Sequence, residues 1–548
     1  MRLLPPALRR AAGAACVVLS SALVLSACGP GGGDQARTSS GPPKASGAEV
    51  AKMTFGTVGS VRSLDQSLTY DTTGYPVVNL LVEGLMTYDA DGKLVPNLAT
   101  SVKHPDPLTY VYTLRHGLKF WDGKPVTAED AAFSLKRNMD TALASQVAGY
   151  YGSVKNIAAT GPDQVTMTLT KPDPFAQYIP ALSGGVVEKA YVESKGKDFG
   201  GSKGLTMGTG PYEVKSYSPA TGVSLVRNDH YWGTEPKVRA LDFKVVSDPD
   251  ALRLAMQSGQ IDATFDTPPE SSNLWDKMQG VHMSYTDALY VSYLSLETTT
   301  APFNDVHVRK AIAYAADPKG LLGPLFHGHA SLAKSPMLES TWANLSDQQS
   351  AIDAAYDSLP TYQHDLAKAK QELAQSAHPN GFTATVPYPN EPAYLGKVLQ
   401  NLAENLKPLG ITLKLEQRTG EQWGSTIFAN GKLGMQIAQF GPDYPDPGNF
   451  PAVALGKANA GPNALNTSKF DTPEMEALLR QQLTTADPAE RTKALTGVMR
   501  ILAEQEPVVP LFHTDDSLAL SDKYVYDGKF SHWTRIFGDW AVNLKAAA

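Results

Sequence analysis

The stretch YTLRHGLKFWDGKPVTAEDAAFSLKR, residues 112–137, changes character halfway along. It leaves a strand-like run, YVYTL at 110–114, whose aromatic and β-branched residues suit a pleated, half-buried surface. Asp122-Gly123 then reads as a tight turn between an apolar strand end and a helix. Thr127 can cap that helix, and Glu129 and Asp130 suit the positive end of its dipole. Strand, turn and capped helix follow one another with no room for a long excursion.

The same alternation continues outward. QVTMTLT at 164–170 reads as a second strand. The glycines of GTGPY at 208–212 permit a sharp bend that Pro211 stiffens. Asp305 opens a helix with Val308, Ile312 and Ala316 on one face. Near 393–416 an apolar-periodic helix ends before Gly410 and leads into ITLKLEQ, where Ile411, Leu413 and Leu415 alternate. Asp487-Pro488 starts another helix, with Leu495, Val498, Met499 and Leu502 as its apolar stripe. Helix-to-strand steps of this kind point to an α/β protein. No short repeat is present, which argues against a solenoid or propeller.

A chain of 548 residues exceeds one ordinary core, so two or three domains are expected. With 42% hydrophobic and 19% charged residues it reads as globular, and its net charge of −7 argues against nucleic acid as a partner. Both cysteines, Cys16 and Cys28, lie at the N-terminus, so the body has no internal disulfide. Arg2, Arg9 and Arg10 precede an apolar run from Ala11 to Ala27, the form of a signal peptide over 1–27. The run ends Leu25-Ser26-Ala27-Cys28-Gly29, which resembles the bacterial lipoprotein box and implies a lipid on Cys28. Residues 28–49, rich in Gly, Ser and Pro, read as a flexible tether with a reach on the order of 25 Å. The expected location is the extracellular face of a bacterial cell membrane.

Catalytic patterns are missing. There is no Gly-Lys-Ser/Thr phosphate loop and no His-Glu-x-x-His. Gly200-Gly201-Ser202-Lys203-Gly204 matches G-x-S-x-G in letters, but charged residues replace the apolar strand a nucleophile elbow needs, so it reads as a loop. His327 and His329 lack further ligands beside them and read as loop histidines. Asp65, Asp89 and Asp91 read as solvated turn acids, and Tyr231 and Trp232 as core or domain-seam aromatics. The stretch QFGPDYPDPGNF, 439–450, stands apart: its prolines exclude a helix or a long strand, leaving a stiff loop that holds Asp443 and Asp446.

Seven stretches together resemble one family. They are LLVEGLMTYDADGKLVPNLATSV (80–102), the opening stretch 112–137, GTGPYEVKSY (208–217), LVRNDHYWG (225–233), SGQIDAT (258–264), PFNDVHVRKAIAYAADPKGL (302–321) and EPVVPLF (506–512). In this order they are similar to the family 5 extracellular solute-binding proteins of ABC transporters, the peptide and nickel group. The resemblance implies an α/β, two-lobed, type II periplasmic-binding-protein-like fold with a hinge between lobes and an additional inserted domain. Residues 50–87, 209–304 and 514–548 would form the first lobe, 88–208 the inserted domain and 305–513 the second lobe. It implies a monomeric, non-enzymatic protein without a cofactor, which captures oligopeptides or dipeptides and delivers them to a membrane permease. The alternatives are a non-peptide solute such as an oligosaccharide, opine or metal chelate, or a sensory role. In the family an aspartate at the place of Asp443 pairs with the ligand's α-ammonium, whereas Asp446 reads as a turn acid bonded to nearby backbone. A backbone clamp is implied, with one strand near Gly74-Tyr75-Pro76 and the other near Gln439-Phe440-Gly441, and Phe440 also packing on a ligand side chain. Nickel-binding relatives that use a protein ligand carry a histidine near this position; Tyr444-Pro445-Asp446-Pro447-Gly448 has none, so no metal site is expected.

Overall fold

The computed structural model describes residues 44–346, 349–485 and 487–548. The expected signal peptide, residues 1–27, and Cys28, the expected site of lipid attachment, lie outside the described residues. Residues 44–49, expected at the end of the tether, lie on the body: Ala45 pairs with Ala547, and Glu49 meets Arg227 at 2.9 Å.

The opening stretch folds as strand, turn and helix. Thr109–Leu114 is a strand with alternating burial. Gly123 adopts φ +84°, and Lys124 N–H donates to the Asp122 carboxylate at 3.1 Å, closing the turn. Thr127 caps Ala128–Lys136 by accepting from Asp130 N–H, while Asp130 accepts from Thr127 N–H in return. This strand sits in a four-stranded antiparallel sheet with Ala99–Asp106, Gln164–Leu169 and Val154–Gly161. Its buried face, with the helix, forms a core that includes Tyr112, Phe120, Leu135, Val165 and Met167.

The main frame is a nine-stranded mixed sheet. From one edge it runs Met435–Phe440, Val281–Leu296, Val508–Ser521, Ala263–Thr264, Met53–Thr57, Ala240–Val245, Gly222–Arg227 and Tyr212–Ser218, with Ala330–Leu332 also pairing on Val508–Ser521. Val281–Leu296 and Val508–Ser521 are unusually long, 16 and 14 residues, and pair antiparallel along nearly their whole length. Val508–Ser521 joins two separate cores. Leu518 and Leu520 pack with Phe55, Leu241 and Trp540, whereas Val509, Leu511 and Phe512 pack with Ile312, Leu399 and Ile437. Between these ends the register slips from Asp287/Asp515 to Val291/His513, a bulge that leaves Tyr290 outside the ladder.

The remaining helix expectations hold locally. Asp305 caps Val306–Ala315, and Asp487 caps Pro488–Gln505, whose Leu495, Val498, Met499 and Leu502 are buried. The helix near 393 runs Tyr394–Leu406 and is followed by the strand Thr412–Arg418. Gly200–Gly204 is a loop. Asp65 corrects the reading of solvated turn acids: it is 2% exposed and holds Arg137 through two hydrogen bonds of 2.7 and 2.8 Å, besides capping Ser67 N–H. Tyr231 and Trp232 both donate to the Glu83 carboxylate, at 3.2 and 2.9 Å. No helix among the described residues is long and apolar enough to cross a membrane.

Candidate functional site

The two acids of QFGPDYPDPGNF have opposite environments. Asp446 is 1% exposed and accepts two hydrogen bonds from Arg491, at 2.6 and 2.7 Å, and one from Tyr178 Oη at 3.2 Å. It also bonds nearby backbone as expected, accepting from Gly448 N–H at 2.8 Å. The turn-acid reading therefore misses its main partner, which arrives from a helix 45 residues later. Arg491 in turn donates to Gln482 O at 3.0 Å. This pair pins the loop to the helix Pro488–Gln505.

Asp443 has no such cation among the described residues. Its carboxylate accepts from Tyr70 Oη at 2.7 Å and from Asn449 Nδ2 at 3.4 Å, while its own N–H donates to Asn449 Oδ1 at 3.2 Å. Burial pushes its carboxyl above the ordinary range, although the bonds from Tyr70, Tyr150 and Asn449 pull the other way. It faces a cavity of about 130 Å³ whose wall includes the aromatic residues Tyr70, Tyr75, Tyr290, Trp533 and Phe537, with Leu182, Ile536 and Gly441. Asp71 and Thr72 stand exposed at its rim. The lining contains no lysine or arginine. A desolvated carboxylate among aromatic faces is matched to a cation from outside, by charge and by the ring quadrupoles.

Segments far apart in the chain build this cavity. The loop before Gly74 supplies Tyr70, the helix Gly74–Val78 supplies Tyr75, and the bulge supplies Tyr290. The loop after Met435–Phe440 brings Gly441 and Asp443, and the helix His532–Ile536 brings His532 and Trp533. Ser531 caps that last helix with a reciprocal bond to Thr534. His532 Nδ1 meets Asp516 at 2.6 Å, and Asp516 also accepts from Arg535 at 2.6 Å. Arg535 and His532 hold the Asp516 carboxyl down at about 2 against its own burial.

The other expected site residues divide. Tyr75 lines the cavity and its hydroxyl donates to Leu182 O. Gly441 also lines it, with the Tyr290 ring so close that an added Cβ would stand 2.5 Å from it. Gln439 pairs with Ser292 and donates to Tyr394 Oη. Phe440 is placed differently from the expectation: it is 8% exposed, packs edge-on against Phe450 at 5.0 Å, and belongs to a core rather than to the cavity wall. Gly74-Tyr75-Pro76 is not a strand. Asp71 accepts from Thr73 N–H and Gly74 N–H and its carbonyl accepts from Tyr75 N–H, which starts the helix Gly74–Val78. Local Asx capping wins there over the extended form. Sequence reasoning missed Tyr70, Asn449, Tyr290, His532 and Trp533. Only Asn449 carried a signal, as it lies inside the singled-out loop; the rest come from stretches with no distinguishing pattern. Among the described residues no cluster of three or more His, Cys, Asp or Glu is placed to hold a metal ion.

Comparisons with known proteins bear on the family and the fold of the chain. Residues 93–462 match the model of the bacterial extracellular solute-binding proteins, family 5. The chain is 26% identical over 484 residues to the probable D,D-dipeptide-binding periplasmic protein DdpA of Escherichia coli K12, covering 86% of this chain and 90% of that one. It is 28% identical over 481 residues to the glutathione-binding protein GsiB of the same strain, covering 85% and 90%. The crystal structure of the ABC transporter substrate-binding protein CtaP of Listeria monocytogenes superposes with a TM-score of 0.79 at 22% identity, covering 91% of this chain and all of that one.

Proposed function

The chain belongs to the family 5 bacterial extracellular solute-binding proteins, and from that premise we propose that it captures peptides with a free amino terminus for an ABC importer. Proteins of this family bind and hand over a solute; they are not enzymes. The observation that carries the peptide reading is Asp443, a partly buried carboxylate with no cationic partner among the described residues, facing a cavity with aromatic walls and no lysine or arginine in its lining. The α-ammonium of a peptide supplies the missing charge. DdpA, whose name records a dipeptide ligand, supports that choice of solute.

The ligand backbone would run beside Gln439-Phe440-Gly441 at the end of the sheet's outermost strand and gain main-chain hydrogen bonds there, a mode that tolerates varied side chains. Closure of lobe 305–513 onto lobe 50–87, 209–304 and 514–548 about the two long strands would bury the solute. Lipid on Cys28 would hold the protein at the extracellular face. Cys28→Ala is expected to release it or leave it unprocessed, and its recovery in the membrane fraction, cleaved at the same place, would refute the anchor.

The direct test is to purify the protein with its natural ligand, denature it and identify what is released by mass spectrometry. Asp443→Asn is then expected to weaken a free-amine peptide about tenfold to a thousandfold, since a charge-assisted bond is worth roughly 1.5–3 kcal/mol and a buried pair's loss roughly 3–5 kcal/mol. The N-acetylated peptide is expected to bind weakly to both proteins. Equal affinities throughout would remove Asp443 from the site. A second reading keeps the site and changes the solute: the aromatic walls suit any organic ammonium. Release of a non-peptide amine in the same assay would select it.

A further inference from the structure

Two polar atoms on the cavity wall lack a protein partner. Among the described residues neither Tyr290 Oη nor His532 Nε2 has a hydrogen bond, and neither is one of the unpaired atoms sealed from solvent. Both side chains line the cavity. His532 is only 7% exposed, so this is a buried imidazole with one open edge. Its ring is fixed from three sides: Nδ1 by Asp516 at 2.6 Å, one face region by Tyr290 at 5.8 Å and another by Trp533 at 5.4 Å, both edge-on.

The charges behind the imidazole settle what Nε2 can do. Asp516 accepts Nδ1–H and is already neutralised by Arg535 at 2.6 Å. In the neutral ring the proton sits on Nδ1, facing Asp516. In the tautomer Asp516 selects, Nε2 carries a lone pair and is an acceptor. Tyr290, which lies in the bulge, also lines the cavity, and its hydroxyl can accept. With the Asp443 carboxylate, the cavity offers three acceptors in a small space.

We propose that His532 and Tyr290 are specificity residues of this site, reading the N–H groups of the ligand's amino terminus so that a primary ammonium is selected over secondary and tertiary ones. This rests on the peptide reading above. A primary ammonium brings three donors. Each methyl group on the nitrogen removes one donor and leaves one acceptor desolvated and unpaired, the arrangement that discriminates most strongly. Asp443 meets the charge, which methylation keeps, while Tyr290 and His532 count hydrogens.

The test measures affinity by calorimetry for tri-alanine and its N-methyl and N,N-dimethyl forms, on wild type, Tyr290→Phe and His532→Phe, with thermal unfolding of each. If tri-alanine does not saturate the wild type, the peptide released in the mass-spectrometric assay replaces it. Wild type is expected to lose about tenfold in affinity per methyl. Each variant is expected to bind the primary amine about tenfold more weakly and to lose less than about threefold on the first methylation. A methylation penalty as large in both variants as in wild type overturns the inference, since steric exclusion alone predicts that result. Should His532→Phe not fold, Tyr290→Phe, which removes a single hydroxyl, decides alone. Recovery of no peptide in any preparation removes the peptide reading instead, and this inference with it.

Discussion

Asp443 and Asp446 stand three residues apart in one stiff loop, and their chemistry is set by what lies across from them. Asp446 meets Arg491 inside the protein, so removing either partner strands a buried charge. Asp446→Ala is expected to cost about 3–5 kcal/mol in denaturant unfolding, whereas the double replacement Asp446→Leu with Arg491→Met is expected to cost less than either single change. Asp443 has the reverse character. Its folded-state carboxyl titrates above the ordinary range, so holding it ionised costs stability that is relieved as pH falls through that raised value. Ligand binding needs the ionised form. Affinity for a free-amine peptide is therefore expected to decline on acidification at a pH above the usual carboxylate range, and the decline to vanish in Asp443→Asn. A flat pH profile for wild type would contradict this.

At the scale of elements, the long strands Val281–Leu296 and Val508–Ser521 do the positioning. Their bulge lifts Tyr290 against Gly441, and their middle carries Asp516 to His532 and Arg535. Gly441→Ala would drive a methyl into the Tyr290 ring, and a peptide affinity about tenfold weaker with little change in unfolding temperature is the expected outcome. Asp516 is held at about 2 against an unperturbed 3.8, so its stabilisation is complete above pH 4 and lost as pH falls towards 2. That shift corresponds to on the order of 2 kcal/mol. Urea unfolding is expected to show this loss over that pH interval in wild type and not in Asp516→Asn, which starts less stable at neutral pH. The short helix Gly74–Val78 shows the limit of resemblance at this scale: a single Asx cap from Asp71 turned an expected strand into a helical turn.

At the scale of the whole molecule, the site is an assembly of distant segments. Residues from 70–75, 182, 290, 441–443 and 532–537 share one cavity, and the core that includes Tyr178 also takes in Leu289, Tyr444 and Trp533. The strand Val508–Ser521 runs from the Trp540 core to the Ile437 core, with Val281–Leu296 paired along it, and a bulged pair of strands is a natural place for bending. Closure about them predicts that saturating peptide lowers the radius of gyration measured by small-angle scattering. An unchanged value, with binding shown in parallel, would rule out closure.

Much about this protein was legible in its residues alone. The step from YVYTL through Asp122-Gly123 to the capped helix at Thr127 needs only local propensity, turn chemistry and a reciprocal cap, and these act within a few residues. The stiff loop at 439–450 was legible for the same reason, because proline limits backbone conformation wherever it stands. What local chemistry could not decide was partnership. Asp446 found Arg491 and Asp65 found Arg137 across 45 and 72 residues, Phe440 turned into a core, and His532 entered the cavity from the far end of the chain. Burial and charge pairing are properties of space, and two acids with the same neighbours in sequence differ only in which of them the fold supplies with a cation.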